Sequence, residues 1–488
     1  MNNKGIVYLV GAGPGRADLM TVRAKELLEK ADIVAYDALI SPSLLSTISP
    51  KAELIPIGYR GYGSAKLGYN IHPVVIEMAK AGKVVVRLKS GDPFIFGRGY
   101  QECIELKQQG IDFEVVPGVS SSLGAASFAG FPLTHRDFAS DVVFASGHDL
   151  RGGSPSNSRW KSLAQTGGTI VIYMAASKIK ENCLRLIEYG RASTTPAIYV
   201  AAATCGNEKI IQGTLETLAD LTTDINPKLQ ALIIVGEVIH SRDEFNWRKR
   251  LPLKGRRLLV TRVREQASLL AQKCRDLGAE VIEAPFVCSS LINEVSLEDK
   301  IKNYKTLLFS DAKSVESFFT LQKNTKIDLR DFIDHQFITL DQQTHDELRK
   351  YCLNSIVLHG HCKEALARTQ FPSKVLILGS DKGRQSLIED LNNIGVTSHY
   401  LALYNKEFIF PQLQAPEFDG VLLPSSSSVG VLEKGPWESV LGKTPLFTIG
   451  EKTFLAAHKL SKNTYQAHND NIDSLVQLVL EHLGEHHE

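Results

Sequence analysis

Strand-length apolar runs that break into glycine, each followed by a helical stripe, recur along the first half of the chain. Gly5-Ile-Val-Tyr-Leu-Val10 ends in Gly11-Ala-Gly-Pro-Gly15. Ala24, Leu27, Leu28 and Ala31 then fall at i, i+3, i+4 and i+7, which predicts one face of a helix. A second run, Asp32-Ile-Val-Ala-Tyr36, ends in Asp37. This is a β–loop–α–β unit of an open parallel sheet, a fold in which ligands bind beyond the carboxyl ends of the strands. Val84-Val-Val-Arg-Leu-Lys89 and Phe113-Glu-Val-Val116 repeat the pattern, running into Ser90-Gly-Asp-Pro-Phe-Ile-Phe-Gly-Arg-Gly99 and Pro117-Gly-Val-Ser-Ser-Ser122. A structural turn explains any one of these loops. Three of them at the ends of successive strands predict a shared crevice.

The second half carries a repeat. Leu258-Leu-Val-Thr261 aligns with Val375-Leu-Ile-Leu378 at an offset of 117, which also pairs Leu270, Cys274, Leu277 and Gly278 with Leu387, Leu391, Ile394 and Gly395. Each set is a helical stripe closed by glycine. Thr306–Val315 echoes Gly420–Val429, and Phe337–Leu340 echoes Leu446–Ile449. The basic, proline-interrupted stretch between the halves predicts a boundary: a first domain over 1–242, a linker over 243–256 and a second domain over 257–488. The linker is too short and too rich in bulky residues for a floppy tether. The bases at the junction, Arg248, Lys249, Arg250, Lys254, Arg256 and Arg257, read as solvated charges rather than as a path for an anionic intermediate.

Composition narrows the class. At 43% hydrophobic and 22% charged residues, the 488-residue chain has ample apolar surface to fold, and its length suits several domains. Lys+Arg 55 against Asp+Glu 54 leaves no global field to recruit nucleic acid or an anionic membrane. No apolar run approaches the roughly 20 residues of a membrane span, and the N-terminus lacks the pattern of a signal peptide. Seven cysteines without a C-x-x-C pair predict reduced thiols and a cytoplasmic protein. His345, His359, His361 and Cys362 lack the spacing of a zinc knuckle, so no metal is expected. A nicotinamide oxidoreductase, with Asp37 on the adenosine ribose, fits the first loop poorly: Arg16 interrupts the glycine pattern, and Pro14 removes an N–H where a pyrophosphate needs one.

Longer motifs settle on a family. Val10–Gly15, Tyr36-Asp37, Arg87–Gly99, Val116–Val119, Gly130–Arg136, Ser146-Gly-His148, Tyr173-Met174 and Val235–Val238 together resemble uroporphyrinogen-III C-methyltransferase. The resemblance spans about residues 4–242. It implies a two-lobed α/β tetrapyrrole methylase fold, usually a homodimer formed through this domain, with S-adenosylmethionine bound between the lobes and S-adenosylhomocysteine as product. Two methyl groups would pass to uroporphyrinogen III, giving precorrin-2. By the same resemblance Pro14, Ser90, Gly91, Asp92, Ile95, Ser120, Ser121, Met174 and Ala203 line the cofactor site, and Asp37 is the proton acceptor. Tyr59 stands where the family has a lysine proton donor, and Arg60 is placed to supply the missing cation. The substrate's eight carboxylates would need local bases, for which Arg60, Lys66, Arg87, Lys89, Arg98 and Arg136 are candidates.

The duplicated half, with Val260-Thr-Arg262, Phe309, Ser425–Val429 and Thr448-Ile-Gly450, is similar to uroporphyrinogen-III synthase. That implies a two-lobed flavodoxin-like fold, lobe one being 257–288 plus 408–488 and lobe two 289–407. The reaction would be closure of hydroxymethylbilane with inversion of ring D, without a cofactor. Tyr404, Ser310, Ser425 and Ser427 match the cleft's tyrosine and hydroxyl-rich loops. Pro424 and Asp341 depart from the family pattern. The alternative to a bifunctional enzyme of sirohaem or cobalamin precursor synthesis is a methyltransferase carrying a non-catalytic tetrapyrrole-binding module.

Overall fold

The computed structural model describes residues 5–484 except 50–51, 58–69, 149–156, 224–229, 262–268, 285, 293–296, 302, 324–327, 359–373, 384, 410–416 and 436–441. Strands β1 (Ile6–Gly11), β2 (Ile33–Tyr36), β3 (Glu53–Pro56), β4 (Val84–Lys89) and β5 (Asp112–Val116) form a parallel sheet in the order β3-β2-β4-β1-β5. Val7, Leu9 and Val85 face one core layer, while Val10, Val34, Val86 and Leu88 face the other. Cover on both faces explains why β1 and β4 read as unbroken apolar runs. Because β1 and β4 are neighbours, paired from Ile6↔Val84 to Gly11↔Lys89, the loops that follow them leave the sheet side by side.

A second sheet holds β6 (Val142–Ser146), β7 (Thr169–Tyr173), β8 (Pro196–Ala201), β9 (Lys209–Thr214) and β10 (Ala231–Val235), ordered β6-β7-β10-β8-β9. Its β6–β7 pair is parallel and the other pairings are antiparallel. Trp160 and Tyr199 anchor the core on one face, and the helix Ser121–Ala129 packs Ala125, Ala126 and Ala129 on the other. That helix starts directly beyond β5, so the first lobe is joined to the second at the crevice itself.

Strands β11 (Arg257–Thr261) and β12 (Glu280–Ala284) open a third sheet. The chain then builds β13 (Phe286–Leu291), β14 (Thr306–Phe309), β15 (Gln336–Thr339), β16 (Ile356–Val357), β17 (Lys374–Ser380) and β18 (Thr397–Ile409). It returns to the third sheet with β19 (Gly420–Leu423), β20 (Leu446–Thr448) and β21 (Thr464–Gln466). The third sheet is ordered β12-β11-β19-β20-β21, the 2-1-3-4-5 arrangement of flavodoxin-like folds. The fourth runs β13-β18-β17-β14-β15-β16, and with β17 counted first its last five strands have the same arrangement. The 117-residue repeat therefore has a structural meaning, since β11 and β17 occupy equivalent places. Leu270 and Cys274 bury against one, and Leu387 and Leu391 against the other. Residues Val287–Ile409 form one compact unit; Met1–Phe286 and Phe410–Glu488 form another.

The junction between the methylase-like and synthase-like parts is packed structure. The short helix Arg242–Phe245 leads into a turn, Trp247–Arg250. Trp247 donates its Nε1–H to the Ser127 carbonyl (3.0 Å) and meets the Phe128 ring edge-on. Arg248 is buried, lies 4.6 Å over Phe128 and pairs with buried Glu208 at 2.5 Å. Arg256 donates to the Leu483 carbonyl and Arg257 pairs with Glu280 at 2.8 Å. The expectation of solvated linker charges is therefore corrected for Arg248, Arg256 and Arg257, which are held by partners on both sides of the boundary. Glu208→Ala would leave Arg248 buried without its counter-charge. A loss of about 3–5 kcal/mol is expected, read as an earlier denaturant midpoint in the unfolding of the first half, and an unchanged midpoint would contradict the assignment.

Candidate active site

Glycine backbone builds the crevice. The loops after β1 and β4 bond to each other, Gly13 N–H to Gly91 O at 3.2 Å and Gly91 N–H to Gly13 O at 2.9 Å. The loop after β5 closes on both: a Cβ on Gly11 would stand 2.5 Å from Gly118 N and 2.7 Å from Gly91 O, so no side chain fits there. Asp92 latches the arrangement, accepting from Gly118 N–H (3.1 Å) through one oxygen and from Phe94 N–H (2.8 Å) through the other. Gly91 is different. Its φ of +67° suits glycine, and a Cβ there would stand in ordinary contact with Ser121 N at 3.5 Å rather than overlap it.

The second lobe supplies the opposite wall. Tyr173 Oη, at the end of β7, hydrogen-bonds the hydroxyls of Ser120 and Ser122 at 2.7 Å each. Ser90 Oγ accepts from Gln230 Nε2 at 3.3 Å. Pro14 packs where Gly124 leaves space for it. Met174, Ala202 and Thr204 have φ of 57°, 47° and 70°, and Phe96 and Arg98 on the facing loop have 54° and 57°. Five of the six described non-glycine residues in the left-handed region therefore border this crevice. Such strain concentrates where surrounding structure holds a site in shape. Met174 and Phe96 are 48% and 43% exposed, giving the wall an apolar rim. Ile95 packs on the core beneath it, and Ala203 is buried.

At the carboxyl end of β2, Asp37 accepts from Arg87 Nη2 at 2.7 Å and remains about one-fifth exposed. Arg87 also reaches Glu102 (3.2 Å), and Lys89 reaches the same glutamate oxygen at 2.6 Å. Burial opposes charge on the Arg87 guanidinium, but Glu102 and Asp37 outweigh it and hold its pKa above the usual arginine value. Burial, reinforced by Arg87, pushes the Lys89 ammonium below its ordinary pKa. Arg87 and Lys89 are thus enclosed in a charge network, which corrects the expectation that they bind substrate carboxylates. Arg98 precedes the helix Gly99–Gln108, and Arg136 lies on the turn bridged by His135↔Ala139. Tyr59, Arg60 and Lys66 lie outside the described residues.

In the synthase-like half the four candidate side chains fall into two pairs. Ser310 Oγ, directly after β14, and Tyr404 Oη, within β18, both donate to Asp311, each at 2.9 Å. Asp311 also caps the helix Ala312–Gln322. Ser425 caps the helix Ser426–Lys434 and contacts Ser427 Oγ at 2.9 Å. Asp341, which departs from the family pattern, caps the helix Gln342–Arg349 through Thr344 N–H. His345 Nδ1 contacts Ser355 Oγ at 2.8 Å, while His359, His361 and Cys362 lie outside the described residues.

Sequence reasoning missed Gln230, Glu102 and Asp311. The first two act across 140 and 13 residues. Asp311 carried a usable signal, being an aspartate between a strand and a helix.

The fold and crevice define a two-lobed α/β transferase joined to a duplicated flavodoxin-like domain. The family of tetrapyrrole (corrin/porphyrin) methylases matches residues 6–219, and the family of uroporphyrinogen-III synthase HemD matches residues 268–477. A porphyrin biosynthesis protein HemD from Ruminiclostridium josui is 32% identical over 98% of both chains. A uroporphyrinogen-III C-methyltransferase from Bacillus subtilis (strain 168) is 35% identical over 71% of both. A crystal structure of uroporphyrin III C-methyltransferase from Thermus thermophilus is 35% identical, covers 48% of this chain and 99% of its own, and superposes with a TM-score of 0.43. The chain belongs to the tetrapyrrole methylases through its first half and to the uroporphyrinogen-III synthases through its second. That membership displaces the nicotinamide reading.

Proposed function

We propose that the chain performs two consecutive reactions on one tetrapyrrole. The second half closes hydroxymethylbilane to uroporphyrinogen III, and the first half methylates that product twice to precorrin-2. The observation that carries the methylation half is the crevice itself, in which the glycine loops after β1, β4 and β5 interlock backbone to backbone and are rimmed by the exposed Met174 and Phe96. A ligand can approach backbone there, with Pro14, Ser90, Asp92, Ile95, Ser120, Ser121, Met174 and Ala203 around it. These residues fit S-adenosylmethionine, whose adenosine and sulfonium offer both polar edges and apolar surface to the Met174–Phe96 rim. When bound, the cofactor supplies an electrophilic methyl carbon.

The chain's own work is positioning and proton removal. In-line displacement needs the pyrrole-derived carbon aligned with the methyl group, not a protein nucleophile. As the new C–C bond forms, the C–S bond breaks and its electron pair leaves on sulfur. The methylated carbon already bears a side chain and holds no proton, so the positive charge left on the pyrrole is relieved by loss of a proton from another position of the macrocycle, and Asp37 is the base assigned to take it. Arg98 and Arg136, together with Arg60, are assigned to the substrate carboxylates, and Tyr59 to proton donation. In the synthase half, Ser310, Tyr404, Ser425 and Ser427 are the assigned hydroxyl-bearing side chains, with Asp311 orienting the first two by accepting a hydrogen bond from each.

We read the chain as a cytoplasmic homodimer assembled through its methylase half. The unpaired cysteines among the described residues fit a reducing compartment. Exposed Phe94, Tyr100 and Leu123 leave apolar surface for a second copy, which sedimentation would test. Among the described residues no helix is long and apolar enough to cross a membrane.

The cofactor assignment has a direct check. At ligand 100-fold above its dissociation constant, stabilisation of about 2.7 kcal/mol is expected. S-adenosylhomocysteine should raise the melting temperature of the full chain and NAD should not. Protection by NAD alone would overturn the reading.

A further inference from the structure

We propose that Glu280, a residue of the synthase part, is a positioning residue for the methyl-donor site, acting through the loop of residues 202–208. The proposal rests on the cofactor reading above, because Ala203 belongs to both.

On one side the loop forms part of the crevice. Thr204 Oγ1 accepts from Arg16 N–H at 3.1 Å, and a Cβ on Gly15 would stand 3.0 Å from Ala203 O and 2.8 Å from Thr204 Oγ1. Ala202 N–H donates to Gln230 O at 2.9 Å, and Gln230 in turn holds Ser90. The loop's shape therefore fixes the glycine loop after β1 and the residue preceding Gly91. That shape is unfavourable in itself, since Ala202 and Thr204 sit at φ of 47° and 70°. It needs ties from outside.

The other side carries those ties. Gly206 N–H donates to Glu280 Oε2 at 2.7 Å, and Arg257 Nε donates to the same oxygen at 2.8 Å. Arg257 Nη2 also reaches Asn207 Oδ1 at 3.3 Å. The Glu280 side chain is 2% exposed, so its charge is compensated by Arg257 and by the loop amide rather than by water. A Cβ on Gly206 would meet Glu280 Oε2 at 3.0 Å and Arg257 Cβ at 3.1 Å, so the contact leaves no slack. Thr204 N–H is tied in turn to Glu208 Oε1 at 2.8 Å, and Glu208 pairs with Arg248 of the junction. Strand β12, part of the synthase core, thereby sets the geometry of a loop at the methylation site. The two enzymes share a structural element, not only a chain.

The test uses the full chain and S-adenosylhomocysteine as probe. Glu280→Ala should weaken its binding roughly tenfold, the scale for loss of a hydrogen bond to a charged group. KM for S-adenosylmethionine should rise by a similar factor with kcat at saturation changed by less than about threefold. Glu280→Gln keeps an oxygen for the Gly206 amide and should recover most of the affinity. A generally destabilised protein would show neither the split nor the rescue. Gly206→Ala probes the same contact from the methylase side and should also raise KM. Wild-type affinity in folded Glu280→Ala overturns the proposal. So does wild-type affinity in Gly206→Ala if Glu280→Ala fails to fold. Failure of the wild-type chain to bind S-adenosylhomocysteine is a separate result, and it refutes the cofactor reading on which the proposal stands.

Discussion

Asp37→Asn is expected to lower methyl transfer by about 10²-fold or more, while S-adenosylhomocysteine binds within a few-fold of wild type. The carboxylate sits at the mouth of the parallel sheet, partly exposed on one side and bonded to Arg87 on the other. Asparagine preserves its shape and one hydrogen-bond acceptor, and it removes the ability to take a proton. It also unbalances a buried cluster in which Asp37 and Glu102 offset Arg87 and Lys89. The variant's melting temperature must therefore be measured beside its rate. A folded variant that binds S-adenosylhomocysteine and turns over at the wild-type rate would remove Asp37 from the mechanism.

The second large effect is geometric. A Cβ on Gly118 would overlap the Gly91 carbonyl and stand 2.8 Å from Gly11 Cα. Every one of those neighbours is backbone, so Gly118→Ala must push the three crevice loops apart. Misplacement of reacting groups by about 1 Å is enough for a 10²-fold loss of rate. Methylation should fall at least that far, with synthase turnover in the same chain within about twofold, because the synthase strands bury their own cores. Gly167→Ala is the matched control: nothing lies within 4 Å of a Cβ there, and both activities should persist. Equal loss of both activities in Gly118→Ala would contradict the separation of the two sites.

The crevice was legible because its signals are local. Each glycine loop follows its own strand, and the unbroken apolar runs mark a parallel sheet covered on both faces, although the strand order that sets the loops side by side came only with the structure. The repeat was legible because periodic stripes such as Leu270–Cys274 and Leu387–Leu391 survive divergence. Caps were legible in principle, since Asp341 and Ser425 stand between a strand and a helix, but neither was read as a cap. Pairings between distant residues were not legible. Tyr173 reaches Ser122 across 51 residues and Arg248 reaches Glu208 across 40, and no periodicity records either. Arg87 and Lys89 misled for a physical reason. Charges in a strand usually mark a solvated face, but β4 is covered on both sides, so these two turn to Glu102 instead.

Product analysis with hydroxymethylbilane and S-adenosylmethionine supplied together to the full chain tests the central claim most directly. The account predicts a rearranged macrocycle carrying two added methyl groups, with two equivalents of S-adenosylhomocysteine released. Recovery of only the unrearranged macrocycle, or of uroporphyrinogen III without added methyl groups, would contradict it.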